Sequence, residues 1–239
     1  MRVGVRPDVG DPGAWYWQLP AVAQLRAEGM QLAPVTVLVG ENGSGKSTLV
    51  EAVAQRWGRS LTAAVKHWGP LAPGPDEASL SWDLELEGER PRPQGGVWLR
   101  AEAMHGHFAG VDAGEHGLRA FGGRALNARS HGEGFLAFLE SRTDERGLWV
   151  LDEPESALSF TGCLALLAHL RGLVAGGAQV VLSTHSPLLA ALPGAMVVEV
   201  GEHGLRPTAW EDTDLVLSWR GFLDAPERYL RRLAGADDD

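Results

Sequence analysis

Val35-Thr36-Val37-Leu38-Val39-Gly40-Glu41-Asn42-Gly43-Ser44-Gly45-Lys46-Ser47-Thr48 is the stretch that decides the fold. Its first five residues are β-branched or aliphatic throughout, which predicts a short strand buried on both faces. Gly40 ends that strand, and Gly40 to Ser47 fits G-x-x-x-x-G-K-[ST] with no mismatch. Leu49, Val53 and Trp57 then recur at helical spacing from Lys46 onward. Small residues in such a loop let backbone N–H groups turn inward as a concave nest for phosphate. The helix that follows points its positive dipole end at the same anion. Lys46 supplies a point charge to the β- and γ-phosphates, and Ser47 offers a hydroxyl to Mg²⁺.

The rest of the composition suits one sizeable α/β domain. In 239 residues, 44% are apolar and 22% charged, enough for one large core without disulfides or structural metals. The only cysteine, Cys163, sits in the apolar run Cys163-Leu164-Ala165-Leu166-Leu167 and reads as a buried, inert thiol. No basic-then-apolar leader opens the sequence and no apolar run reaches bilayer length, so a cytoplasmic protein is expected. The net charge of −10 opposes a broad nucleic-acid footprint. Arg119, Arg124 and Arg129 could still form a small basic edge. Asp237-Asp238-Asp239 reads as a solvated tail.

Texture divides the chain into a core, 1–58 and 129–239, and an inserted lobe, 59–128. The lobe is broken by Pro70, Pro73, Pro75, Pro91 and Pro93. Within it, Ser79 to Leu86 alternates polar and apolar, predicting a half-exposed antiparallel strand with Val97–Arg100 as its return partner. Regular order resumes with an amphipathic helix over Glu133–Arg142. It continues with a strand over Leu148–Leu151, a helix over Phe160–Val174, strands over Gln179–Ser183 and Met196–Val200, and a helix over Pro226–Leu233.

Two strand ends carry further chemistry. Leu148–Leu151 runs into Asp152-Glu153, which places two carboxylates at the edge where α/β sheets bind ligands. Asp152 is placed to reach Mg²⁺, and Glu153 to act as base or water-positioning group. Val180–Leu182 runs into Ser183-Thr184-His185. His185 could touch a γ-phosphate, although a lone histidine there is more often only a capping or packing residue. Ser130-His131-Gly132-Glu133 has the Ser-to-Glu spacing of a helix capping box, which by itself explains those residues.

Taken in order, these pieces resemble the ABC-type ATPases, a branch of the P-loop NTPases. Gly40, Glu41, Asn42, Gly43, Ser44, Gly45, Lys46, Ser47 and Thr48 are similar to their Walker A motif, and Leu148–Glu153 to Walker B with its catalytic glutamate. Glu155–Ser159 is similar to the D-loop and His185 to the switch histidine. The likeness covers nearly the whole chain and is nearest to small stand-alone bacterial predicted ATPases on the Rad50, SMC and overcoming-lysogenisation-defect side. It implies a mostly parallel sheet flanked by helices, with ATP and Mg²⁺ as ligands and Lys46, Glu153 and His185 as the catalytic set. By the same analogy Ser130 and Gly132 would bind the γ-phosphate of an ATP held by a second copy. Glu102 is the candidate for the family's Q-loop position near Mg²⁺. The signature is Ser-His-Gly-Glu where transporters have Leu-Ser-Gly-Gly-Gln, and no long coiled-coil heptads interrupt the chain.

Three functions follow from that resemblance. The first is an ATP-gated homodimer acting on an unknown partner. The second is a nucleotide-dependent subunit of a nuclease, toxin or DNA-repair assembly with little turnover. The third is a small-molecule kinase, opposed by a Glu153 poised for water. DNA is a partner only by analogy. Trp15 or Trp17 could stack on adenine, and the sequence leaves the two open.

Overall fold

The computed structural model describes residues 1–6, 11–58, 79–88, 95–101, 121, 124–142 and 147–233. Elements along the chain are β1 (Arg2–Val5), α1 (Pro20–Ala27), β2 (Met30–Gln31), β3 (Val35–Val39), α2 (Lys46–Gly58) and β4 (Leu84–Glu87). Then come β5 (Gly96–Arg100), α3 (His131–Glu140), β6 (Leu148–Asp152), α4 (Phe160–Ala175), β7 (Gln179–Ser183) and α5 (Pro187–Ala190). β8 (Met196–Gly201), β9 (Gly204–Pro207), α6 (Asp214–Asp224) and α7 (Pro226–Leu233) close the series.

The central sheet has six strands in the order β5-β6-β7-β3-β8-β9. All neighbours are parallel except the β8–β9 pair. Period-two alternation divides its side chains between two layers. Val97, Leu99, Trp149, Leu151, Val180 and Leu182 face the core built with α3 and α4, through Phe135, Phe138, Leu166 and Leu170. Trp98, Leu148, Val150, Val181 and Leu38 face the core built with α1 and α2, through Val22, Leu25, Leu49, Val50 and Val53. Strands buried on both faces need continuous apolar sequence, which these runs supply. Each fully buried Leu or Val contributes about 1.5–3 kcal/mol. A small antiparallel sheet, β2-β1-β4, lies beside this layer.

Two sequence expectations are corrected. Val97–Arg100 is not the antiparallel return partner of the Ser79–Leu86 stretch. Its strand, β5, is the edge of the central sheet and runs parallel to β6, pairing Val97 with Trp149 and Arg100 with Asp152. The reason is burial on both faces: Val97, Trp98 and Leu99 are each at most 3% exposed, which a half-exposed hairpin cannot provide. Nor is Ser79–Leu86 one strand. Leu80–Trp82 form a 3₁₀ turn capped by Ser79, and only Leu84–Glu87 are extended, pairing antiparallel with β1. The segment read as an inserted lobe therefore contributes a strand to the core sheet, and Phe121 and Leu126 join the α3–α4 core as well. Sequence patterning also passed over β1, α1, β2, β9 and α6. Glu102, Arg119, residues 59–78 and the Asp237–Asp239 tail lie outside the described residues. Among the described residues no helix is long and apolar enough to cross a membrane.

Candidate active site

The loop after β3 is shaped by close approach. Gly40 holds φ 148°, and a Cβ there would sit 2.2 Å from the Val200 carbonyl on β8, so only glycine fits. Gly45, at φ 99°, lies against Leu19. Lys46 opens α2, is 3% exposed, and donates from Nζ to the carbonyls of Gly40 at 2.9 Å and Glu41 at 2.8 Å. Burial pulls its pKa below the ordinary lysine value, against the opposing charges of Glu153, Asp152 and Glu155. Among the described residues the Ser44 hydroxyl is buried without a hydrogen-bond partner. A buried polar atom held at that cost, in the loop that leads into the N-terminus of α2, fits a phosphate oxygen.

β6 delivers the acids. Asp152 is buried, and its carboxylate is gripped from both flanking strands: the Ser183 hydroxyl donates to Oδ1, and Arg100 Nε donates to Oδ2 at 3.0 Å. Arg100 Nη2 also donates to Glu51 Oε2 on α2 at 3.0 Å. Burial alone would lower the Arg100 pKa, but its bonds to Asp152 and Glu51 hold it above the ordinary value.

Glu153 is the only non-glycine residue with positive φ among the described residues, at φ 47° and ψ 52°. That left-handed conformation costs about 1–2 kcal/mol. The surroundings hold it there: its N–H donates to the Ser183 carbonyl at 3.1 Å, and its own carbonyl accepts from Ser156 Oγ at 2.9 Å. The turn aims the side chain at His185, whose Nε2 lies 3.4 Å from Glu153 Oε1. The backbone N–H of His185 donates to Glu155 Oε1 at 2.5 Å. His185 Nε2 and Glu155 Oε2 are both buried without a hydrogen-bond partner, so this edge holds polar atoms unspent on folding.

Ser130 is the N-cap of α3. Its Oγ accepts from the Glu133 N–H at 3.3 Å, and the Glu133 carboxylate accepts from the Ser130 N–H at 3.0 Å, a complete capping box. Those bonds, the Ser130 backbone first, hold the Glu133 pKa below the ordinary value. A Cβ on Gly132 would lie 3.0 Å from the Ala157 carbonyl, so the segment backs directly onto the turn that follows Glu153. Arg124 and Arg129 each donate from Nη2 to a nearby carbonyl, those of Ala128 and Phe121. Cys163 is buried as expected, and burial followed by the Glu155 charge raises its thiol pKa.

The structure thus brings Lys46, Asp152, Glu153 and His185 to one edge of the sheet. It adds Arg100, Glu51 and Ser183, to which sequence reasoning gave no role, and Glu155, which it read only as the start of the D-loop. Glu155 had a legible signal as the second glutamate of Asp-Glu-Pro-Glu. Arg100 had none, because its partners lie 52 and 49 residues away. No three or more His, Cys, Asp or Glu side chains gather into a metal cage among the described residues. Mg²⁺ suits such a site, since it takes one or two protein oxygens alongside phosphate oxygens and water.

No protein-family model matches the chain. Over 44 residues it is 48% identical to the cytochrome c biogenesis ATP-binding export protein CcmA of Nitrobacter winogradskyi, covering 18% of this chain and 22% of that protein. The CcmA of Pseudomonas fluorescens is 28% identical over 184 residues, 68% of this chain and 81% of that protein. Among solved structures, an ABC transporter of metal-chelate type in an inward-facing conformation superposes with TM-score 0.51 at 17% identity. The match covers 91% of this chain and 87% of that one, a likeness of fold. With the ordered motifs above, the chain carries a P-loop ATPase site on a mostly parallel sheet and is similar to ABC-type ATP-binding proteins.

Proposed function

We propose that this ATPase is an ATP-gated homodimer that switches a partner protein between two states. The observation that carries the reading is the Glu153–His185 pair, 3.4 Å apart at the strand edge that faces Lys46. Lys46 exchanges the Gly40 and Glu41 carbonyls for β- and γ-phosphate oxygens. Ser47 and Asp152 would hold Mg²⁺, which would neutralise charge on those oxygens. Glu153 accepts the proton of the attacking water as the bond to the ADP oxygen breaks, and His185 donates to the γ-phosphate. Glu102 is the further candidate on the metal side.

Ser130 and Gly132 contact the γ-phosphate of the ATP in the second copy. The backing of Gly132 on the Ala157 turn supports this, because it ties the signature segment to the loop that carries Glu153. A γ-phosphate touched from both subunits is the differential contact that a closure switch requires. Trp15 is the candidate for adenine stacking: it is 56% exposed, whereas Trp17 donates Nε1 to the Asp11 carbonyl and has Arg26 over its ring.

The deciding experiment is solution mass of the Glu153→Gln variant with and without Mg-ATP. A monomer that becomes a dimer only with ATP supports the switch. An unchanged mass with ATP bound would remove the homodimer and point to a different partner subunit.

A further inference from the structure

Arg100, Asp152 and Ser183 form one row across three adjacent parallel strands, β5, β6 and β7. They lie on the sheet face that packs against α2, the face of Trp98, Val150 and Val181. The Asp152 side chain is 5% exposed, so it cannot turn to solvent for compensation. Ser183 and Arg100 fix the carboxylate from opposite sides, one oxygen each. Each carboxylate oxygen has a second lone pair, which this clamp leaves available.

The other arm of Arg100 reaches α2 at Glu51. Glu51 stands four residues after Ser47, so the two lie on one face of the helix, one turn apart. A single guanidinium thus ties Asp152, one proposed Mg²⁺ ligand, to the helix face that bears Ser47, the other. The rigid fork of arginine suits this bridge. A lysine would keep the charge but not the two diverging donors. Without a cation between them, Asp152 and Glu51 would repel and push α2 away from β6.

We infer that Arg100 is a positioning residue of the Mg-nucleotide site, setting the gap between Asp152 and Ser47 by bridging Asp152 and Glu51, a role that rests on the Mg-ATP reading above. Arg100 touches neither phosphate nor metal in this role. It acts through the two groups that do.

The test is binding of a non-hydrolysable fluorescent ATP analogue, titrated with Mg²⁺ and repeated in chelator, for wild type, Arg100→Gln, Arg100→Lys and Glu51→Gln. Arg100→Gln should raise the half-saturating Mg²⁺ concentration by about tenfold or more, the usual effect of losing an outer-shell partner, while binding in chelator stays near wild type. Arg100→Lys should recover only part of that, and Glu51→Gln should move the same way by less. Because Glu51 is a third exposed, its variant carries the test should Arg100→Gln fail to fold. An unchanged or lower half-saturating Mg²⁺ overturns the role, since removing a cation that merely competes with Mg²⁺ would tighten binding. Equal loss with and without Mg²⁺ also overturns it, as the mark of a structural staple only. Wild-type binding indifferent to Mg²⁺ would instead sink the Mg-ATP reading itself.

Discussion

Glu153 and His185, on the loops that follow adjacent strands β6 and β7, meet with Oε1 and Nε2 3.4 Å apart. Glu153 reaches that position only through its left-handed backbone. If the pair acts on water and γ-phosphate, Glu153→Gln should lower turnover by about 10²–10⁴-fold while ATP affinity stays close to wild type. His185→Ala should lower turnover by less. A Glu153→Gln variant that still hydrolyses ATP at the wild-type rate would exclude it as the base.

Lys46 is buried with its charged Nζ seated in the loop, on the carbonyls of Gly40 and Glu41. Lys46→Ala should weaken ATP binding by roughly 10–100-fold, the worth of one or two charge-assisted bonds of about 1.5–3 kcal/mol in all. Its fold should persist, because Nζ bonds only to carbonyls of its own loop. Calorimetric titration of ATP onto the variant, with a thermal melt as control, decides it.

Tyr16 Oη donates to Asp83 Oδ2 at 2.5 Å, both side chains almost fully buried, and joins the N-terminal segment to the start of β4. Burial, then the bond and charge of Asp83, push the phenol pKa far above its ordinary value, so the bond is intact across the working pH range. Tyr16→Phe strands a buried carboxylate and should cost about 2 kcal/mol, roughly 4–8 °C in Tm. Denaturant unfolding measures it, and a change below about 0.5 kcal/mol would contradict the argument.

Glu199 on β8 is 3% exposed and anchors the start of α6, accepting from Arg206, Thr208 and the Asp214 N–H. Burial would raise its pKa, but those bonds together hold it below the ordinary value of 4.5. A depressed acid gives stability that is complete above its unfolded pKa and is lost as pH falls through the folded one. Stability should therefore fall below about pH 4.5 in wild type. Glu199→Gln should be less stable at pH 7 and show a shallower acid limb. Parallel unfolding curves for the two proteins from pH 7 to 3.5 would refute this.

Trp15→Ala should weaken binding of ATP, with Trp17→Ala acting mainly on thermal stability because its indole is engaged by Asp11 and Arg26. Base stacking contributes about 1–3 kcal/mol, so the expected loss for Trp15 is roughly 5–150-fold in Kd. Equal affinities for the two variants would remove Trp15 from the adenine site.

The sequence alone determined the features written in contiguous residues. The phosphate loop was legible because strand, glycine loop, Lys46 and helix occupy one unbroken stretch. The capping box of Ser130 and Glu133 was legible for the same reason: both partners lie within one helical turn. Apolar runs at Leu148–Leu151 and Gln179–Ser183 gave two core strands outright. What the tertiary structure decided is pairing between distant segments. Val97–Leu99 alone could not declare its neighbour, since a short apolar run fits a hairpin or a parallel edge equally well. Only burial between β6 and the two helical layers places it in the central sheet. The grip of Arg100 and Ser183 on Asp152, and the turn that aims Glu153 at His185, arise where strands distant in sequence end side by side. Their geometry comes from sheet register, a property of no single segment.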